Sequence, residues 1–151
     1  MDMRKVLVLG LLLIVVASTV AVISAASQEV TLEGIKFNIP DGYNAVEQDS
    51  DVKEVGDSED IDGTAVDTEV TNDYITSAGD ELEIKVGARD NQKIDSINPV
   101  GAEAKKIAGK EGFLFKEMDD GKEQYKFEYL QDGKIVKITA VSEDVISQVI
   151  G

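Results

Sequence analysis

Val6–Ile23 is a run of eighteen uncharged, mostly apolar residues, and nothing after it repeats that pattern. From Val30 onward apolar and polar positions alternate instead, the period of a strand with one face buried. Val30-Thr31-Leu32 and Ile35-Lys36-Phe37 flank Glu33-Gly34. Pairing Leu32 with Ile35 and Val30 with Phe37 puts all four on one face of a hairpin, with Thr31 and Lys36 on the other. Alternation returns at Val66, Val70 and Tyr74 and again at Leu82, Ile84, Val86 and Ala88, with Ala78-Gly79-Asp80 as the turn of a second hairpin.

Asp132-Gly133 marks a third hairpin. Counting outward from that turn, Tyr129 meets Val136, Phe127 meets Ile138 and Tyr125 meets Ala140, a wholly apolar face. Glu128 with Lys137 and Lys126 with Thr139 make the other face, which reads as wet. Phe113 and Phe115 join the face of Phe127 only if the turn around Asp119-Asp120-Gly121 has an odd number of residues, as in a three-residue loop. The period then becomes helical. Ser142 is placed to cap a short helix, Val141 and Ile146 stand at staple spacing, and Val145, Ile146, Val149 and Ile150 form one apolar stripe. The expected packing sets Phe127 and Ile138 beneath Ile146 and Val149.

These elements predict an α+β chain: an N-terminal transmembrane or signal helix over residues 1–26, then, over residues 27–151, a small antiparallel β-sheet domain of hairpins with a short C-terminal helix packed on one face. At 1.5 Å per residue the apolar run spans about 27 Å as a helix, close to the thickness of a bilayer's hydrocarbon core. Arg4 and Lys5 precede it, and Gln28 and Glu29 follow it. That order predicts a cytoplasmic N-terminus and a domain outside. Two fates stay open: a retained anchor, which the length favours, or cleavage near Ala26, for which Ser24-Ala25-Ala26 supplies small residues.

Composition narrows the function. The chain has 151 residues and a formal net charge of −15, and losing Asp2, Arg4 and Lys5 with the leader makes the remainder one unit more negative. Nucleic acid is therefore an unfavourable partner, since affinity for phosphate backbones comes from clustered lysine and arginine. Cysteine and histidine are both absent. Disulfides, thiol nucleophiles, imidazole bases and zinc sites built on either residue are excluded, and a lipid anchor on cysteine with them. Neither a GxSxG elbow nor a glycine-rich phosphate loop is present, and the chain reads as a non-enzyme without a cofactor.

The stretch from Glu47 to Asp62 carries eight carboxylates against Lys53 and reads as a solvated loop. It supplies the calcium candidates Asp49, Asp51, Asp57, Glu59, Asp60 and Asp62, yet the spacing departs from a calcium loop. Asp49 and Asp51 are followed by Lys53 where a third ligand belongs, and Gly63 comes too early behind Asp60 and Asp62. Carboxylate pairs for glycoside hydrolysis are conceivable at Glu81 with Glu83, which share a strand face, and at Glu117 with Glu123 if their turn sets them opposite each other. Tyr125 and Tyr129 read as core.

Four stretches carry a family likeness: Phe37–Tyr43 (FNIPDGY), Ile107–Phe113 (IAGKEGF), Tyr125–Tyr129 (YKFEY) and Asp132–Val136 (DGKIV) before the terminal helix. Together they resemble short exported or membrane-anchored proteins of unknown function from methanogenic archaea. The resemblance implies an extracytoplasmic location and supplies no catalytic residues. The expected role is a non-catalytic binding or envelope-interaction module. Its partners are the membrane through Val6–Ile23 and an envelope protein or divalent cation through the acidic stretch and a sheet edge. The alternatives are a carboxylate-dependent hydrolase of envelope sugars and a carrier of a small apolar ligand, which needs a pocket under the sheet.

Overall fold

The computed structural model describes residues 28–46, 51–54 and 60–151, with side chains described for all but 51–54. Val6–Ile23 and the Ala26 cleavage position lie outside them. Among the described residues no helix is long and apolar enough to cross a membrane.

Among the described residues twelve strands and one helix follow in order: β1 Gln28–Leu32, β2 Ile35–Ile39, β3 Asn44–Ala45, β4 Asp51–Glu54, β5 Asp60–Ile61, β6 Thr64–Ala65, β7 Thr68–Ile75, β8 Glu81–Ala88, β9 Glu103–Ile107, β10 Lys110–Asp119, β11 Lys122–Gln131, β12 Lys134–Ala140, and α1 Glu143–Ile150. An antiparallel sheet runs β3-β7-β8-β12-β11-β10-β9, and β4 pairs with β7 beside β3. Two separate hairpins, β1-β2 and β5-β6, complete the strands.

Five hairpins close in one way. Glu33-Gly34, Asp62-Gly63, Ala108-Gly109, Asp120-Gly121 and Asp132-Gly133 are two-residue loops with both φ angles positive. That conformation matches the right-handed twist of paired strands, and glycine takes it without strain. The expected registers of β1-β2 and β11-β12 hold, with Val30 opposite Phe37 and Phe127 opposite Ile138, and the expected second hairpin forms as β7-β8, with Tyr74 opposite Leu82.

Two expectations fail here. The Asp120-Gly121 loop has two residues, so Leu114 opposes Phe127 while Phe113 and Phe115 oppose Glu128 and Lys126 on the other face. Leu114 takes the core position. The acidic stretch is not simply a solvated loop: Asp51–Glu54 pairs with Thr68–Thr71, and Asp60–Ala65 forms a hairpin of its own.

The main core lies between one face of the sheet and a layer made of β1-β2 and α1. Leu32, Ile35, Phe37 and Ile39 from the hairpin and Ile146 and Val149 from the helix meet Val70, Leu82, Ile84, Val86, Phe127, Tyr129, Val136 and Ile138 from the sheet. Ser142 caps the helix as expected, its Oγ accepting from the Val145 amide at 3.2 Å.

Candidate functional site

The opposite face of the sheet is divided in two. One half lies under a second apolar cluster of Ile61, Val66, Ile94 and Ile135, with Ile97 and Leu130 packed against it. The β5-β6 hairpin and the segment after β8 supply its roof. Gly87 is the seat: a Cβ built on it meets Ile61 Cδ1 at 2.7 Å and Val66 Cγ1 at 2.8 Å. Only a residue without a side chain lets the hairpin lie so close to the sheet. Gly87→Val, whose new side chain otherwise favours a strand, is expected to cost about 1 to 3 kcal/mol by overpacking. Denaturant midpoints check it, and an unchanged midpoint would show that the hairpin is not seated there.

Strand pairing lines up a polar row across the sheet. Phe113 opposes Glu128, Glu128 opposes Lys137, Lys137 opposes Lys85 and Lys85 opposes Thr71. In the sequence this face reads as wet, yet Glu128 is 0% exposed. The roof hairpin covers it, and the loop residue Asp62 reaches down to the row. Lys137 Nζ lies 2.7 Å from Asp62 Oδ2 and 3.9 Å from Glu128 Oε2.

The charges in this trio are unequal. As a carboxylate Glu128 has no hydrogen-bond donor for either oxygen. Burial raises its pKa to about 9, and the neighbouring Asp62 adds to the rise against the opposing pull of Lys137 and Lys126. Glu128 is thus a neutral acid near neutral pH, able to donate its proton toward Asp62. Asp62 shifts the other way: the hydrogen bond from Glu128 comes first and Lys137 second in holding it below the ordinary aspartate value.

The other half of this face is an open cleft of about 540 Å³. Its lining includes the carboxylates Asp73, Glu81, Glu83, Glu117 and Asp119 and the lysines Lys85, Lys126 and Lys137. All three lysines are engaged: Lys85 with Glu69 at 3.8 Å, Lys126 with Glu117 at 2.8 Å, and Lys137 with Asp62. No such bond or ion pair holds Glu81, Glu83 or Asp119 among the described residues. The cleft is consequently acidic toward whatever enters it.

The sequence-derived candidates scatter. Asp49, Asp57 and Glu59 lie outside the described residues, and Asp51 belongs to β4, where only the backbone is described. Asp60 Oδ1 accepts from the Gly63 amide at 3.2 Å, closing its own turn, and Asp62 belongs to the trio. Among the described residues no three such side chains gather to hold a metal ion. Glu81 and Glu83 do share a face and line the cleft. Glu117 and Glu123 do not oppose each other, because the two-residue turn pairs Glu117 with Gln124 and sends Glu123 to the other face. Set against protein-family models, curated proteins and solved structures, the chain matches none.

Proposed function

We propose that this chain is a non-catalytic binding module, positioned outside the cytoplasm by Val6–Ile23, whose acidic cleft takes a lysine- or arginine-bearing segment of an envelope protein. The observation that carries this reading is the inequality of charge in the cleft. Five carboxylates line it against three lysines, and those lysines already have partners. A cationic side chain entering there finds Glu81, Glu83 and Asp119 open, while each of the three lysines is already paired with a carboxylate. The volume lies within the range of ordinary ligand clefts, about 300 to 1,000 Å³.

Hydrolysis is less well supported. Glycoside cleavage needs a carboxylic acid held protonated within reach of the sugar. Among the described residues Glu128 is the carboxyl with that property, and it is sealed away from the cleft.

Titration of the detergent-solubilised full chain with an arginine-rich peptide tests the proposal, with a glutamate-rich peptide as the control. The expected result is binding of the basic peptide alone, weakening as salt is added. Glu81→Gln with Glu83→Gln is expected to weaken it about threefold to tenfold. Equal binding of both peptides, or none at low salt, would sink the reading.

A further inference from the structure

We propose that Lys137 and Asp62 join in a self-made isopeptide bond, Nζ of Lys137 to Cγ of Asp62, with Glu128 carrying the protons. Three observations point to it. Lys137 Nζ lies 2.7 Å from Oδ2 of the carboxyl it would attack, across the roof and the sheet. The trio's second carboxyl, Glu128, is completely buried, and neither of its oxygens has a hydrogen-bond donor in its ionised form. Among the described residues' lysine–carboxylate pairs that lie within about 3 Å, this one is also the driest. Lys137 and Asp62 are 13% and 33% exposed, against 26% and 52% for Lys126 with Glu117 and 40% and 38% for Lys105 with Glu143.

Distance alone does not single out the trio, since those two other pairs are nearly as close at 2.8 Å and 2.9 Å. Burial and the neighbouring acid Glu128 do. In water an ammonium and a carboxylate are each too well solvated to condense. Asp62 rests as the carboxylate, and partial burial lowers the cost of the proton exchange that gives neutral amine and neutral acid. Held in contact, the two react as one molecule, with the advantage of a high effective concentration.

The step balances without a co-reactant. Lys137 passes a proton to the Asp62 carboxylate, leaving an amine with a free electron pair. That pair attacks Cγ, forming the C–N bond and pushing the carbonyl electrons onto oxygen, where the acidic proton of Glu128 supports the charge. Glu128 gives its proton to the departing hydroxyl and takes one from the nitrogen. The C–O bond breaks with its electrons on oxygen, and water leaves through the exposed side of the Asp62 turn. Ammonium and carboxylate have become a secondary amide and one water, and Glu128 ends as it began. The bond ties residues 75 apart in a chain without cysteine, serving where a disulfide cannot.

Tryptic digestion and mass spectrometry of the purified full chain test this directly. Trypsin cuts after lysine and arginine, so the linked protein yields residues 54–85 branched onto 135–151, uncut at Lys137 and lighter by one water than the two parts. Lys137→Arg and Asp62→Ala are expected to yield no branched peptide. Glu128→Gln is expected to form it about 100-fold more slowly or worse. Wild-type protein that gives only separate, full-mass peptides would show a simple ion pair and overturn the proposal. That digest decides alone if a variant does not fold. Wild-type speed in a folded Glu128→Gln protein would equally overturn the mechanism.

Discussion

Phe127→Ala is expected to lower stability by about 3 to 5 kcal/mol, because truncating a large buried aromatic forfeits its transfer energy and leaves a cavity. Phe127 is 0% exposed and stands on β11, a central strand between β10 and β12. Its ring centroid lies 5.6 Å from that of Tyr129. The neighbouring strand comes very near: a Cβ built on Gly112 meets the Phe127 ring at 2.9 Å. Backbone hydrogen-bonded on both sides cannot collapse into the gap, which places the cost in the upper part of that range. Small domains are stable by about 5 to 15 kcal/mol, so the variant is close to unfolding. Met118→Ala is the comparison, since Met118 is 66% exposed and its truncation is expected to cost less than about 0.5 kcal/mol. Denaturant midpoints decide between them, and similar losses for the two would mean that Phe127 is not a core residue.

Most of the sheet was legible because its registers are set by alternation together with a two-residue turn. Phe127 with Ile138 and Val30 with Phe37 follow once the turn is placed, since a slip by one residue turns every apolar side chain outward. The β9-β10 hairpin was not legible. Its loop, Ala108-Gly109, puts alanine at φ 50, and alanine carries no turn signal of its own. Asp120-Gly121 misled for a related reason. Two phenylalanines on one strand suggested a core face, whereas Leu114 between them occupies it and Phe113 and Phe115 are half-buried on the other side.

The trio was hidden by the same alternation that revealed the hairpin. Glu128 opposite Lys137 has the pattern of a solvated face, and register alone says nothing of what lies above a sheet. Two signals nonetheless pointed to a cover. Asp62-Gly63 between Ile61 and Val66 is a hairpin turn with apolar neighbours, masked by the surrounding carboxylates. Gly87 interrupts a strand of apolar residues, the mark of a close approach. Read together they place a second layer over the polar row, which changes Glu128 from a surface charge to a buried acid.

Raising the pH from about 4.5 to about 7 is expected to remove about 3 kcal/mol of stability through Glu128 alone. Its carboxyl titrates near 4.5 in the unfolded chain and near 9 in the fold. Between those values the folded state holds a proton that the unfolded state has released, so stability is fully present below the lower value and falls as pH rises toward the upper one. Lys137 and Lys126 face the group and favour its ionised form, but burial outweighs them. Asp62 has the opposite sign and a separate window, for its lowered pKa confers stability above the ordinary aspartate range that is lost only below it. Conversion of Asp62 to an amide removes the second cause of the Glu128 shift and leaves burial, the first, in place. Glu128→Gln keeps the shape of the neutral acid and cannot titrate, so its stability is expected to be flatter over the same range by the same amount. The slope is the useful readout, because a covalent link adds equally at every pH. Urea melts of both proteins across the window measure it, and parallel curves would mean that Glu128 is ionised in the fold and that the roof admits water to it.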